Sequence, residues 1–213
     1  ASAYDDAHRA WQEWERQPQD PGSSMELVLH GDALAESGDE RALASIERLR
    51  AIQPIEADVI LARLRWRQHR AAEAADLLAS AFTRYRTDPW PIPSLMHRAL
   101  LLAERLGGER PELAPRLFDA MAEPFSVHAV DESRLTTRLH LLSALDFPRY
   151  CREALAALEP WVPWERSVLA LRVRCYAATH DPRLDTAERD LDAYLTGAPE
   201  HMSALVRAPQ FAR

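Results

Sequence analysis

Apolar side chains recur at intervals of three and four residues along almost the whole chain, which is the spacing of one face of an α-helix. No segment shows the sustained alternation of a half-buried strand. Prolines and glycines interrupt the pattern and mark helix ends. The sequence therefore predicts an all-α protein. About eleven helices are expected: Tyr4–Gln17, Ser24–Ser37, Asp39–Gln53, Pro54–Gln68, Arg70–Thr87, Pro93–Leu106, a seventh from Pro111 or Pro115 to near Pro124, Asp131–Leu145, Pro148–Glu159, Pro163–His180 and Leu184–Thr196.

Several helix ends carry specific signals. Ser23 and Glu26 have the spacing of a capping box, so Ser23 is expected to cap the second helix. Gly38 is suited to the left-handed turn that ends this helix. Further helix ends are predicted at Gly107-Gly108 and at Gly197 with Pro199, after which a short helix, about Glu200–Arg207, is expected to follow.

One helical hairpin can be read as a motif. Its first helix, turn, second helix and terminating proline are marked by Leu27, Gly31, Leu34, Gly38, Ala42, Ile46, Leu49 and Pro54. The residues without bulk, Gly31 and Ala42, let two helix backbones approach, while the leucines and isoleucine fill the space around the crossing. Small residues at the start of later second helices follow at Ala74, Ala114, Cys151 and Ala187, a period of about 36 residues. This pattern resembles the tetratricopeptide repeat.

The resemblance implies a right-handed α-α superhelix of stacked antiparallel helical hairpins. It implies one helical repeat domain over residues 1–213, with a capping helix and linker in 1–22, about five hairpins in 23–199 and a C-terminal cap or tail in 200–213. An irregular helical bundle and a related α-solenoid are the alternatives. In the family, the first helix of each hairpin lines a concave groove, which implies a non-enzymatic scaffold that binds a partner segment.

One well-known mode of the family clamps the terminal carboxylate of a peptide with lysine and asparagine side chains. This chain contains neither residue, so that mode is not carried over. All 26 basic residues are arginines. Any anion site here must therefore use arginine, histidine or backbone N–H groups.

A first candidate binding strip lies at the end of the fourth predicted helix. Arg63, Arg67 and Arg70 share one helical face there, with Trp66 beside them. Arginine forks and an aromatic shelf suit an acidic protein or peptide partner. The alternative, which we favour, is a solvated face whose arginines pair with nearby glutamates.

A second set of candidates is aromatic. Trp90, Trp161 and Trp164 stand at two junctions between hairpins, about two repeats apart. Tryptophan is enriched in interface hot spots, so these rings are candidate anchors for a partner. The favoured alternative is that each ring packs its junction against the next hairpin.

The net charge of −7 argues against general nucleic-acid binding, which needs a basic surface. No apolar run is long enough to span a membrane. The absence of lysine and asparagine is typical of a GC-rich genome, because the codons of both residues are AT-rich. We therefore expect a bacterial protein, with the cytoplasm favoured and the periplasm as the alternative. Because the chain begins with alanine, an assembly domain excised from a larger protein, stacking on its own copies, is the second hypothesis.

Signatures of enzymes and cofactor sites are missing from the sequence. It has no Gly-rich phosphate loop, no nucleophile elbow and no metal-binding histidine pair, so no cofactor and no metal are expected, and a helical enzyme ranks third. Cys151 and Cys175 are expected to be small, buried, free thiols. A bridge between them, if their helices turn back near Trp161, is the less favoured alternative.

Overall fold

The computed structural model describes residue 9, residues 21–160 and residues 162–206, with the backbone alone described from residue 198 onward. These residues form ten α-helices and no strand, which confirms the all-α prediction. The helices are α1 Ser24–Glu36, α2 Ala42–Arg50, α3 Pro54–Arg67, α4 Ala71–Tyr85, α5 Pro93–Glu109, α6 Ala114–Ala120, α7 Asp131–Leu141, α8 Phe147–Ala156, α9 Arg166–Ala178 and α10 Leu184–Val206. The predicted helix Tyr4–Gln17 lies outside the described residues.

The chain divides into two compact units, residues 1–145 and residues 146–213. Helices α1–α7 belong to the first unit and α8–α10 to the second. The sequence predicts one continuous repeat domain across both units, and that continuity stays a prediction.

Helices of the first unit pack in sequence order. α1 packs against α2 and α3 against α4, and each first helix also contacts the next first helix, α1 with α3 and α3 with α5. The second helices α2 and α4 contact the first helix that follows them. A continuous apolar core joins α1, α2, α3 and the start of α5, and it includes Leu27, Leu34, Ala42, Ile46, Leu49, Ile60, Leu64 and Leu95. Burying each leucine or isoleucine contributes about 1.5–3 kcal/mol, so this core holds the successive hairpins together.

Local signals in the first hairpin act as the sequence predicts. The Ser23 side chain accepts a hydrogen bond from the Glu26 N–H, and the Glu26 carboxylate accepts one from the Ser23 N–H, which completes the capping box. Gly38 has a φ of 75°, and the Asp39 N–H donates to the Leu34 carbonyl at 3.0 Å. A Cβ on Gly31 would lie 3.3 Å from the Ser45 Cβ, so α1 and α2 cross closely there.

The same helix-ending turn recurs in both units with a different residue at its centre. His69 has a φ of 60° and His180 a φ of 52°, so a histidine holds the left-handed position that Gly38 holds in the first hairpin. The residue after Gly38 and the residue after His180 are both aspartates, and each binds the arginine two positions later. The turn between α1 and α2 thus has a counterpart of the same geometry between α9 and α10.

The Asp181 carboxyl in the second of these turns is held strongly by Arg183. The Arg183 guanidinium and backbone N–H both donate to it, which places the pKa of Asp181 well below its usual range. Because the folded-state pKa is lowered, this turn contributes its full stability above the ordinary aspartate pKa and loses it on acidification.

Two predicted helix ends are wrong. Gly107 and Gly108 do not end the sixth predicted helix, because α5 continues through both to Glu109. Glycine weakens a helix by only about 1 kcal/mol, which neighbouring contacts can offset. Gly107 is buried, and a Cβ there would collide with the Leu141 side chain of α7. The glycine therefore serves the close approach of α5 and α7.

Replacing each of the two glycines with alanine should separate the effect of helix propensity from the effect of packing between α5 and α7. Gly108→Ala is expected to raise the free energy of unfolding by about 0.5–1 kcal/mol, because nothing lies near its Cβ and alanine is the better helix former. Gly107→Ala gains the same propensity but overpacks against Leu141, so a net loss of about 1 kcal/mol is expected. Guanidinium unfolding of both variants checks this. Equal effects of the two substitutions would contradict a packing role for Gly107.

The second incorrect end lies in α10. This helix runs without interruption from Leu184 to Val206, past Gly197 and Pro199, where the sequence predicts a stop at Thr196 and a separate short helix. A proline removes one backbone hydrogen bond and bends a helix, yet the turns on either side can still form. The predicted boundary between hairpins and C-terminal tail at residues 199 and 200 therefore falls inside one helix.

A disulfide joins the first two helices of the second unit. Cys151 on α8 and Cys175 on α9 are bonded, with their Cα atoms 5.8 Å apart and both side chains fully buried. The favoured prediction of two free thiols is wrong, and the alternative bridge is what the structure contains. The physical reason is that α8 and α9 turn back on each other as a packed hairpin, which places two helix positions 24 residues apart within bonding distance.

Candidate functional site

A cleft of about 250 Å³ opens in the first unit along its first helices α1, α3 and α5. It is lined by Glu36 of α1, by Arg63 and Trp66 of α3, and by Arg98, Leu101, Leu102 and Arg105 of α5. Arg63 and Trp66 are three positions apart on α3, and Arg98, Leu101 and Arg105 follow at intervals of three and four on α5, so each of these two helices presents one stripe of its surface to the cleft.

Buried charges form one wall of this cleft. Behind the lining residues, Asp32 of α1 is 2% exposed and faces two arginines of this wall. The Arg63 Nε of α3 lies 3.2 Å from its Oδ1, and Arg98 of α5 pairs with its Oδ2. Arg63 also donates to Glu36 at 3.0 Å, and Arg67 pairs with the same carboxylate. These ion pairs connect three successive first helices, so the wall is held in place by charge as well as by packing.

The other wall contains an aromatic ring with two guanidinium groups near its face. The Arg67 and Arg105 guanidinium carbons lie 4.6 Å and 5.0 Å from the centroid of the Trp66 ring. The Trp66 Nε1–H donates to Glu109 at 3.1 Å. Arg105 is exposed and has no carboxylate within ion-pair distance among the described residues. It is thus an arginine held by a ring and available to an anion.

An apolar surface adjoins Arg105. Leu101 lies one turn earlier on α5 and is 52% exposed, whereas its neighbour Leu102 is buried. Leu101 and Arg105 are not among the site residues that the sequence predicts, and neither are Glu36, Arg98 and Leu102. A usable signal was the run Leu100-Leu101-Leu102, because three consecutive positions on a helix cannot all face one core.

The structure separates the predicted arginine strip. Arg63 and Trp66 line the cleft, and Arg67 lies beside it with Glu36 as its partner. Arg70 stands past the end of α3, at the start of α4, where its guanidinium donates to Glu73 at 2.6 Å. It does not line the cleft. The favoured alternative, a solvated face whose arginines pair with glutamates, therefore describes Arg67 and Arg70, whereas Arg63 is buried and pairs in the cleft wall.

The predicted aromatic anchors differ from one another. The favoured interpretation expects the Trp90 ring to pack the junction between hairpins. Trp90 is 83% exposed, so its ring does not do so. Trp164 is 56% exposed and meets the edge of Tyr194 in α10 at 6.3 Å between ring centroids. Trp161 lies outside the described residues. Trp90 and Trp164 remain candidates for contact with a partner, and that role stays a prediction.

A metal site, a membrane-spanning helix and a second cleft are the other features to consider in the described residues. Across the described part of the chain, no three histidine, cysteine or acidic side chains are grouped as metal ligands. None of the helices in that part combines the length and the apolar character needed to cross a membrane. A second hollow, on the surface of α10, is shallow and lined by Asp185, Glu188, Arg189 and Asp192.

Comparison with known proteins adds no identification, since no protein-family model, curated protein or solved structure matches this chain.

Proposed function

We propose that the first unit is a tetratricopeptide-like α-solenoid that binds a segment of a partner protein in the cleft along α1, α3 and α5. The order of helix contacts supports the solenoid, because each hairpin packs on the next one through both of its helices. The recurring left-handed turns at Gly38 and His69 support it as well. In such a solenoid, the first helices line the concave side.

The exposure of Leu101 and Arg105 is the observation that carries the binding function. A large apolar side chain half open to water costs solvation free energy, and an arginine stacked on a tryptophan without a counterion is ready to pair. Both groups lie at the same cleft. A partner segment that covers them would bury apolar area and complete an ion pair at one place, as interface hot spots do.

Blocking the cleft should abolish binding. The two native cysteines are bonded to each other, so a cysteine introduced at Leu101 can be labelled selectively with a bulky maleimide. We expect random peptides selected by display on the wild-type protein to bind labelled Leu101→Cys at least tenfold more weakly, because the label fills the groove.

The matched control is labelled Ile52→Cys, since Ile52 is similarly exposed at the turn between α2 and α3. It should bind the same peptides as the wild type does. Selection that yields no peptide, or peptides that bind both labelled proteins equally, would contradict the proposal.

A further inference from the structure

We infer that the bound segment carries an acidic and a large apolar side chain two positions apart, with Arg105 binding the carboxylate and Leu101 contacting the apolar group. This inference rests on the proposed function and adds the chemistry of the ligand to it.

The distribution of charge along the first helices indicates an acidic ligand. Glu36 stands two residues before the left-handed Gly38, and Arg67 stands two residues before the left-handed His69. Glu36 and Arg67 therefore occupy equivalent positions on α1 and α3, and their side chains form an ion pair. α1 thus supplies carboxylates and α3 supplies arginines. α5 supplies two more arginines to the cleft, Arg98 and Arg105.

The carboxylates of the cleft do not extend to Arg105. Asp32 accepts from Arg98, Glu36 is held by Arg63 and Arg67, and Glu109 accepts from the Trp66 indole. Arg105 therefore has no carboxylate partner among the described residues, and a bound segment can supply one.

The environment of Arg105 selects the kind of anion. Its guanidinium carbon lies 5.0 Å from the centroid of the Trp66 ring, and a guanidinium packed on a ring keeps the N–H groups at its edge available. A planar fork of N–H donors matches a carboxylate in a two-point hydrogen bond. The apolar ring on one side lowers the local dielectric constant, which strengthens such a pair relative to one in water.

The spacing of Leu101 and Arg105 sets the spacing within the ligand. Residues four apart on a helix have Cβ atoms about 5–6 Å apart. In an extended segment, side chains on the same side are two residues apart, which is about 6.6–6.8 Å. An extended segment can therefore present an apolar side chain to Leu101 and a carboxylate to Arg105 from positions i and i+2.

Synthetic versions of the display-selected peptides test this inference. They should be acetylated and amidated at their ends, so that any carboxylate belongs to a side chain, and their affinity measured by fluorescence anisotropy. Replacing the acidic residue with glutamine is expected to lower affinity for the wild type at least tenfold. Arg105→Glu should cause a similar loss, and Arg189→Glu, which makes the same charge change on the exposed surface of α10, should cause none.

A charge exchange gives the sharpest result. A peptide whose acidic residue is replaced with lysine should bind Arg105→Glu better than it binds the wild type, because the ion pair is restored with opposite polarity. In the same way, Leu101→Ser should lower the affinity for a peptide that has its apolar residue. It should not lower the affinity for a peptide in which that residue is already serine. Arg105 and Leu101 are exposed, so these variants keep the fold.

Selected peptides that the labelled cleft excludes, but that bind Arg105→Glu as tightly as the wild type, would overturn this inference and leave the proposed function standing. Failure to select any peptide would instead overturn the proposed function, and this inference with it.

Discussion

Replacing Asp32 with alanine should lower the free energy of unfolding by about 3 kcal/mol, since removing one member of a buried ion pair leaves its partners uncompensated. Asp32 is 2% exposed and faces Arg63 and Arg98 from the next two first helices. Without it, Arg63 keeps only Glu36, and Arg98 loses the carboxylate that ties α5 to α1. Guanidinium unfolding followed by far-UV circular dichroism measures the loss.

Two control variants test whether the loss of stability comes from the buried ion pairs. Asp32→Asn keeps the shape of the side chain but not its charge, so a loss close to that of alanine would assign the effect to the ion pairs. Glu40→Ala removes an exposed carboxylate in the turn after α1 and should change stability by less than about 0.5 kcal/mol. If Asp32→Ala unfolds with the same midpoint as Glu40→Ala, the charges do not hold the first helices together.

Breaking the Cys151–Cys175 bond should destabilise the second unit by about 3 kcal/mol, because the bridge closes a loop and restricts the unfolded chain. The sequence separation of the two cysteines is 24, and both side chains are buried between α8 and α9. Hydrogen exchange of the α8 and α9 amides, with and without reductant, should show the loss locally. The Cys151→Ser/Cys175→Ser double variant should exchange like the reduced protein.

The double variant also supplies the control for the reductant, which should have no further effect on it. Unchanged exchange in the reduced wild type would show that packing alone holds this hairpin. Disulfides persist in oxidising compartments and are rare in a reducing cytosol. The compartment stays a prediction, with the cytoplasm and the periplasm both open.

Signals that act within one helical turn were predictable from the sequence. The capping box of Ser23 and Glu26 and the left-handed Gly38 involve residues only a few positions apart, so the sequence contains the whole interaction. The candidate site was predictable only in part. Arg63 and Trp66 were identified because they share a helix face, whereas Arg105 belongs to the site through its distance to Trp66, a residue 39 positions earlier.

The sequence by itself determined that this protein is helical and where most of its helices begin, since side-chain periodicity and end signals are local. The tertiary structure decided which leucine of Leu100-Leu101-Leu102 stays open to water, that Arg105 in the cleft has no carboxylate beside it among the described residues, that α5 runs through Gly107, and that two cysteines meet. Each of these depends on side chains that distant helices bring together. The free energy of these contacts comes from packing and desolvation between distant helices, so it cannot be predicted from residue spacing within one segment of the chain.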